Sequence, residues 1–547
     1  MNRIGAAVIV VLIGGADCIG RQDATHDLRK IDARAEASSA SVPQQFRLGK
    51  LRITGHRHTR ERYIRRLILL SEGDVFDQSK WELGLEQINR TGLFDPIAPP
   101  DVVFAFDYGQ GVVDVDLRLK ERERQRIDLS AGAGTTGAAS LGLDYANINL
   151  IGRGDRLSAE VRFGSREISV RTGYALTTLG KVPVTVAVSA FYGRLEFVDA
   201  RTAGEQRRSL FVDRSSGASL GVSVPLTRSS YKIGAANRIA VSYSFASTGL
   251  ADRLLLPGSA SGAIEQTGIR SGSITPAFVH YSLDREFDPL SGQHLIVAIE
   301  LSGRSLGGSY NSIRPMVDYR RFYPLGRREG NAATGEREPR VLGLRVRASH
   351  IAGAGKPFRP EALAAVGGIP VFKRFFLGGE TEVRGYDVNS LAPLGRVDRL
   401  LVVGSGKPIR LSSELRPIGG DTEIILNAEY RVPLIWRLSA AAFLDVGSSF
   451  NLRRIKEERI ESPVHIEPPG TMAKVITVLR PPTVSDGDFP AYRVSLGGEL
   501  RINVPIVNVP LRLILAANPN AQLRPAPSTL MAPEKRFAFS VALGRTL

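Results

Sequence analysis

The sequence is short of cysteine and of long apolar stretches, and each shortage excludes a class of structure. Cys18 is the only cysteine among the 547 residues, so a scaffold held by internal disulfides is excluded. Beyond the N-terminus no run of about 18 apolar residues occurs, so helices that span a membrane are not expected. A membrane β-barrel stays open, because its strands carry apolar residues only at alternate positions.

Histidine and the common catalytic motifs are also scarce. The seven histidines are dispersed along the chain, which does not favour a metal site. The sequence contains no G-x-S-x-G elbow, no Walker loop and no H-E-x-x-H helix. We therefore expect a protein that is not an enzyme and that uses no cofactor and no metal.

Acidic residues are fewer than basic ones. Lysine and arginine together number 72 against 55 aspartates and glutamates, which gives a formal net charge of +17. The basic residues are spread along the chain, and neither a compact basic patch nor a nucleic-acid motif occurs. We therefore expect no nucleic-acid partner. The excess charge fits a solvated, arginine-rich interior and loops, together with contacts to anionic lipid.

The first 45 residues differ from the rest in composition. Residues 1–16 combine Arg3 with a short apolar stretch, which is typical of a secretion signal peptide. Residues 17–45 are polar and aperiodic and predict a flexible leader. Cys18 leaves open whether the chain is lipidated, although Asp17 before it fits a lipoprotein signal poorly.

Residues 46–122 predict one small α+β domain. A short strand near Leu51, two amphipathic helices and two further strands give the order β-α-α-β-β. The stretches LLSEGDVFDQ (residues 69–78) and INRTGLFDPI (residues 88–97) resemble the POTRA domain. The resemblance implies that an exposed strand edge of this POTRA-like domain binds unfolded chains by adding a strand to the sheet.

Residues 123–547 repeat an alternation of apolar and polar residues many times, as in RLSAEVRF (residues 156–163). Successive side chains of a strand point to opposite faces, so one face favours hydrocarbon and the other favours water. Because lipid offers no partners to backbone groups, a spanning sheet must close on itself. The sequence therefore predicts a transmembrane β-barrel of about 16 antiparallel strands behind the small domain.

A long loop before the twelfth predicted strand carries the most specific motif. Residues 376–393 read FLGGETEVRGYDVNSLAP, with Val383, Arg384, Gly385 and Tyr386 at the centre. The motif resembles the signature loop of the BamA/TamA family of outer-membrane insertases. Four further segments are similar to that family in the same order: GRGDRLS (residues 152–158), LDREFDPLSG (residues 283–292), NAEYRVPL (residues 427–434) and AFLDVG (residues 442–447).

The resemblance implies a role for Arg384. In the family the matching arginine pairs with acidic residues on two barrel strands, which here implies that Arg384 meets Glu429 and Asp445. Strand parity agrees with this pairing. Asp445 lies on the same strand face as Phe443, and Glu429 lies on the same face as Asn427, and both faces are expected to point into the barrel. We therefore expect a loop that folds into the barrel and is held there by two carboxylates.

The first and last barrel strands predict a weak seam. Residues 128–142 are rich in small side chains, which pack weakly and specify register poorly, whereas residues 535–547 are apolar and regular. Such a seam could open sideways and offer a strand edge to an incoming chain. The residues assigned to the seam are Leu129, Gly132, Gly134, Phe537, Phe539 and Val541.

The family resemblance also implies a function and a location. The expected protein lies in the bacterial outer membrane, with the POTRA-like domain in the periplasm, and assembles β-barrel proteins at its seam. The implied partners are unfolded outer-membrane proteins, outer-membrane lipid, and periplasmic chaperones or accessory lipoproteins. The alternative is a transport pore of the two-partner secretion type, which shares the barrel and the loop motif but typically carries two POTRA units and a plug helix.

Overall fold

The computed structural model describes most of the chain from residue 46 onward. The described residues are 46–133, 139–164, 167–176, 184–198, 209–226, 236–252, 264–284, 288–326, 339–355, 365–435, 438–453, 456–466, 471–480, 492–503, 510–521 and 534–543. The signal peptide predicted at residues 1–16 and the leader predicted at residues 17–45, including Cys18, lie outside them.

The N-terminal domain is a three-stranded sheet with two helices. Its elements are β1 (Arg47–Thr54), α1 (Glu61–Leu67), α2 (Gln78–Arg90), β2 (Val102–Asp107) and β3 (Val112–Arg118). The central strand β3 runs parallel to β1 and antiparallel to β2. Asp77 begins α2 by accepting hydrogen bonds from the backbone N–H groups of Ser79 and Lys80. Alternate residues of β3, among them Val113 and Leu117, are fully buried in the core.

A cyclic sheet and two small sheets follow. The remaining strands are, in chain order, β4 (Gln125–Ala133), β5 (Ala139–Ile148), β6 (Arg156–Gly164), β7 (Glu167–Leu176), β8 (Thr185–Val198), β9 (Ser209–Pro225), β10 (Ala236–Asp252), β11 (Ile264–Tyr281), β12 (Gly292–Ser302), β13 (Ser312–Leu325), β14 (Arg340–His350), β15 (Ala352–Gly353), β16 (Ala365–Val366), β17 (Ile369–Pro370), β18 (Leu394–Val403), β19 (Ile409–Pro417), β20 (Thr422–Pro433), β21 (Leu438–Phe450), β22 (Glu458–Ile466), β23 (Thr471–Arg480), β24 (Arg493–Asn503), β25 (Pro510–Ala517) and β26 (Phe537–Leu543).

Within the described residues, sixteen antiparallel strands form the cyclic sheet, and the predicted fold class is confirmed. They are β4 to β14, β20, β21, β24, β25 and β26, with the two-residue β15 pairing beside β14. Neighbours in the sheet are mostly neighbours in the chain. Apart from the short β15, the exceptions are β14 with β20 and β21 with β24, which pair across long inserted segments, and the closing pair β26 with β4.

The cyclic order is completed by very little pairing. Among the described residues β26 and β4 pair only at Val541 and Ala133. By contrast, β26 pairs with β25 at seven positions and β4 pairs with β5 at nine. The first and last strands therefore form the thinnest joint in the described part of the wall.

The two faces of the barrel wall differ as the alternation predicts. Large apolar side chains lie exposed on the outer face, such as Phe163 at 66%, Phe537 at 70% and Phe539 at 62%. Charged side chains such as Glu429 and Arg512 are buried inside. An outward apolar surface of this kind suits lipid. No helix within the described ranges is long and apolar enough to cross a bilayer.

The two long inserted segments build a small sheet of their own. It has the order β19-β18-β23-β22, with β18 and β23 paired across the segments that follow β14 and β21. Because strand direction alternates around the barrel, these segments leave at the end opposite the N-terminal domain. The sequence predicted only long connections here, since these pairings join residues far apart in the chain.

A polar joint connects the N-terminal domain to the turn between β5 and β6. The backbone N–H of Arg60 donates to the Gly152 carbonyl at 2.9 Å, and Asn149 Nδ2 donates to Thr59 Oγ1 at 2.9 Å. Glu121 accepts the backbone N–H groups of His58 and Thr59 at 3.1 and 2.7 Å. Burial raises the pKa of Glu121, but the hydrogen bonds from Thr59 and its neighbours outweigh it and hold the pKa below its ordinary value.

Candidate functional site

The candidate site is the part of the segment between β14 and β20 that turns back into the barrel. Backbone bridges join Leu377 to Leu391 and Gly379 to Val383, and these fold residues 376–393 into a compact loop, here called the lumen loop. A buried apolar cluster supports it from below: Leu377, Val383, Tyr386, Leu391 and, from β20, Ile425. Burial of these apolar side chains stabilises the position of the loop, in addition to any contribution from ion pairs.

Arg384 lies fully buried at the tip of the lumen loop. Its Nε and Nη2 donate to the two carboxylate oxygens of Asp445 at 2.7 and 2.8 Å, and its backbone N–H donates to Asp445 at 3.1 Å. Its Nη1 donates to Glu429 at 2.8 Å and to Glu499 at 3.1 Å. The guanidinium carbon lies 3.7 Å from the ring centre of Phe443. The structure thus brings together Arg384, Glu429 and Asp445, and adds a third carboxylate.

Further arginines surround the two glutamates. Arg501 Nη2 donates to Glu429 at 2.5 Å, and its Nε donates to Glu499 at 2.6 Å. Arg512 binds Glu499 through Nε at 2.7 Å and through Nη2 at 2.9 Å. Glu499 therefore receives three arginines and lies at the centre of the network.

The network balances its charges. Asp288, from the turn between β11 and β12, accepts hydrogen bonds from Arg431 and Arg501. Four arginines thus face four carboxylates: Arg384, Arg431, Arg501 and Arg512 against Asp288, Glu429, Asp445 and Glu499. A buried charge is tolerated when it is paired and hydrogen-bonded, so these eight residues can be buried together. Within the described ranges no group of carboxylates, histidines or cysteines could hold a metal ion.

Two arginines of β14 hold the stem of the lumen loop. Arg347 donates to Glu423 at 3.1 and 2.9 Å and to Glu382 of the loop at 3.2 Å. Arg345 donates to the backbone carbonyl of Thr381 at 3.2 Å. The loop is therefore bound both at its tip and beside it, which restricts it to one position in the barrel.

The other motif residues fit tightly around Arg384. Val383 is fully buried, and Gly385 has a φ of 82°, in the left-handed region that favours glycine. A Cβ at Gly385 would lie 2.6 Å from the Cβ of Ala516. The Tyr386 hydroxyl lies 3.2 Å from the backbone carbonyl oxygen of Val494. The loop tip thus touches β24 and β25 as well as β20 and β21.

Part of this network was not predicted from the sequence. Glu499, Arg501 and Arg512 contact the predicted residues but were not assigned to the site. Their signal was parity, because Glu499 and Arg501 occupy the buried face of RVSLGGELRI (residues 493–502). Parity gives the face of a strand, but it does not give which charges across the barrel will meet.

The predicted seam residues lie on β4 and β26, except for one. Leu129 and Gly132 belong to β4, and Val541 is the residue of β26 that pairs with β4 within the described ranges. Phe537 and Phe539 are exposed on the outer face of β26. Gly134 lies outside the described residues.

The N-terminal domain exposes an apolar strand edge. β2 lies at the edge of its sheet, and both of its faces are accessible, including Val103, Phe104 and Phe106. Phe104 and Phe106 lie in a continuous row of aromatic rings with centroids 5.3 to 6.4 Å apart. An exposed apolar edge is a surface on which another strand can pair.

Comparison with known proteins places both parts of the chain. The family model of the Omp85 superfamily domain matches residues 149–543, and the POTRA model, described as surface antigen variable number repeat, matches residues 46–122. An outer membrane protein assembly factor BamA of Nitratidesulfovibrio vulgaris is 22% identical over 428 residues. The match covers 75% of this chain but only 44% of that relative.

Solved structures share the fold. BamA from Haemophilus ducreyi, lacking POTRA domains 1–3, matches with a TM-score of 0.59 at 16% identity and covers 91% of this chain and 84% of that one. CdiB from Acinetobacter baumannii matches with a TM-score of 0.54 at 14% identity, covering 91% and 74%. The chain therefore belongs to the Omp85 superfamily, as an outer-membrane β-barrel with its POTRA domain in the periplasm.

Proposed function

We propose that this protein assembles β-barrel proteins into the outer membrane and that the seam between β26 and β4 is the template. The observation that carries the proposal is that, within the described ranges, β26 and β4 pair only at Val541 and Ala133, in a wall whose neighbouring pairs are long. Among the described residues, separating these strands breaks one paired position and offers backbone donors and acceptors along both strand edges. An incoming strand can satisfy those groups, which makes pairing and lipid-facing burial the driving force. The proposal requires no covalent chemistry.

The lumen loop holds part of the barrel wall in place while the strands of the seam separate. Its tip is bound to β20, β21 and β24 through Glu429, Asp445 and Glu499. These strands belong to the last third of the wall, on the β26 side of the seam. We infer that the loop keeps this third in register, so that opening is confined to the seam.

The test locks the seam with a disulfide between Ala133→Cys and Val541→Cys, in a Cys18→Ser background. Liposomes that contain the oxidised protein should lose most insertion of an unfolded barrel substrate, and reduction should restore it. The matched control is Ala190→Cys with Ala218→Cys, a paired position of β8 and β9 far from the seam. Full insertion by the oxidised seam pair would contradict the proposal.

The same protein tests the second candidate, a transport pore of the two-partner secretion type. The barrel and the lumen loop are compatible both with an insertion factor and with a transport pore. A pore would carry an unfolded polypeptide across the liposome membrane through the lumen, so locking the seam should not stop it. Translocation with the seam locked, and no insertion with it free, would favour the pore.

We propose further that the POTRA domain receives unfolded outer-membrane protein along the β2 edge. The aromatic row on one face of β2 suits an extended segment with aromatic residues at alternate positions. Phe106→Ser should weaken binding of such a peptide. Val103→Ser, on the opposite face and equally accessible, should leave binding unchanged. An equal loss of peptide binding in both variants would contradict the assignment of the aromatic face of β2 as the binding surface. Periplasmic chaperones and accessory lipoproteins stay predictions.

A further inference from the structure

We infer that Asn518 is a positioning residue that joins the lumen loop to the last strand of the barrel. Asn518 directly follows β25 and is 1% exposed. Its side-chain NH₂ group donates to the Gly385 carbonyl of the loop tip at 2.9 Å and to the Lys535 carbonyl at 2.9 Å. Its backbone N–H donates to the carbonyl of Arg536 at 2.8 Å. One buried residue thus holds the loop and the two residues that lead into β26.

The chemistry of this contact selects an amide donor. Both hydrogens of the NH₂ group are used, and both acceptors are backbone carbonyl oxygens. If the side-chain amide were reversed, its oxygen would face the two carbonyl oxygens, and both side-chain hydrogen bonds would be lost. The Asn518 Oδ1 lies 2.7 Å from the position of a Cβ on Gly385, so the close approach also requires glycine in the loop.

Two neighbouring contacts support this arrangement, one from the loop tip and one from β24. The Tyr386 hydroxyl lies 3.2 Å from Oδ1 of Asn520, which follows Asn518 in the same turn. At the beginning of β24, Arg493 forms a two-pronged ion pair with Glu534, at 2.9 and 3.0 Å. The loop tip, the turn at residues 518–521 and the residues before β26 therefore form one hydrogen-bonded unit.

This unit lies beside the seam. β26 begins at Phe537, directly after the residues that Asn518 binds, and its described pairing with β4 is limited to Val541. The alignment of β26 along the seam is set by its seven pairs with β25 and by how its first residues are held. When the lumen loop leaves its carboxylates, Gly385 withdraws from Asn518 and that support is lost. Loop seating and seam pairing are coupled through Asn518.

The test measures the rate of disulfide formation between Ala133→Cys and Val541→Cys in the full chain, in a Cys18→Ser background. Only the folded band, which shifts on unboiled gels, is scored. Asn518→Leu should slow cross-linking about fivefold, the change that corresponds to the net contribution of one hydrogen bond. The control is Asn451→Leu, at a residue that follows β21, away from β26, and whose side chain is a partner of Arg374 in the segment that carries the lumen loop. It should leave the rate unchanged.

A double variant separates coupling from simple weakening. Arg384→Gln releases the loop tip and should slow cross-linking as Asn518→Leu does, while the two changes together should slow it no further. Multiplying effects, or a normal rate in Asn518→Leu, would overturn the inference. Asn518→Ala repeats the test if the leucine variant gives no folded band. The inference rests on the proposed seam, but cross-linking requires no substrate, so normal coupling without insertion would contradict only the proposed function.

Discussion

Arg384 and Asp445 form a two-pronged ion pair in the interior of the barrel, with Nε to Oδ2 at 2.7 Å and Nη2 to Oδ1 at 2.8 Å. Both side chains are fully buried. The pair joins residues 61 positions apart, one on an inserted loop and one on a barrel strand. Because the geometry is bidentate, it fixes the orientation of the loop tip as well as its position.

The first prediction concerns this pair. Arg384→Ala should leave three carboxylates without their central cation and cost about 3–5 kcal/mol in loop seating. Protease cleavage within residues 376–393 should become faster in the folded protein, and insertion should fall. Arg340→Ala, at an exposed arginine, should change neither.

The pairing itself is checked by exchange. Arg384→Glu with Asp445→Arg should recover part of the protection that Arg384→Glu loses. Glu429 and Glu499 limit the recovery, because they were placed to receive the original cation. Additive defects in the exchanged protein would show that the two residues act separately.

The second prediction concerns Gly385. Gly385→Ala places a Cβ 2.6 Å from Ala516 and imposes a left-handed φ of 82° on alanine, so the loop tip should be displaced. The matched control is Gly404→Ala, which has a φ of 55° but no heavy atom within 4 Å. Cleavage of the loop should rise only in Gly385→Ala. Equal effects would assign the defect to backbone conformation alone.

The third prediction concerns the charge balance around Glu499. Glu499→Gln leaves four buried arginines with three carboxylates and should cost about 3–5 kcal/mol. The temperature at which the folded gel band disappears should fall clearly. Glu160→Gln, on a partly exposed glutamate that also pairs with two arginines, should lower that temperature little. A similar fall in both variants would contradict the balance.

The fourth prediction concerns the joint between the POTRA domain and the barrel. The pKa of Glu121 is lowered in the folded protein, so its contribution is present above the ordinary value of 4.5 and is lost as the pH falls through the lowered pKa. Protease cleavage near residues 119–124 should therefore rise in acid.

The variant Glu121→Gln separates this group from others that titrate in acid. It should be cleaved faster at neutral pH and should lose the additional rise in acid. Glu123→Gln, two residues away and exposed, should behave like the parent protein. An unchanged acid response in Glu121→Gln would remove Glu121 as the titrating group.

The sequence was sufficient for the class of fold and for part of the site. Alternation in segments such as RLSAEVRF (residues 156–163) reports which face of a strand is apolar, because side chains point to opposite faces. The same parity placed Glu429 and Asp445 on the inner face. The resemblance of the loop motif to a known family implied the role of Arg384. Local patterns carry this information, so a single chain reveals it.

The remaining features depend on contacts between residues far apart in the chain. The third carboxylate Glu499 is 115 residues from Arg384, and Asn518 is 133 residues from Gly385. The pairing of β18 with β23 and the thin joint of β26 with β4 likewise follow from the closing of the sheet. The sequence by itself determined the alternating strands, the small domain and the arginine loop. Only the tertiary structure decided which charges meet and how the first and last strands pair, because barrel closure sets those distances.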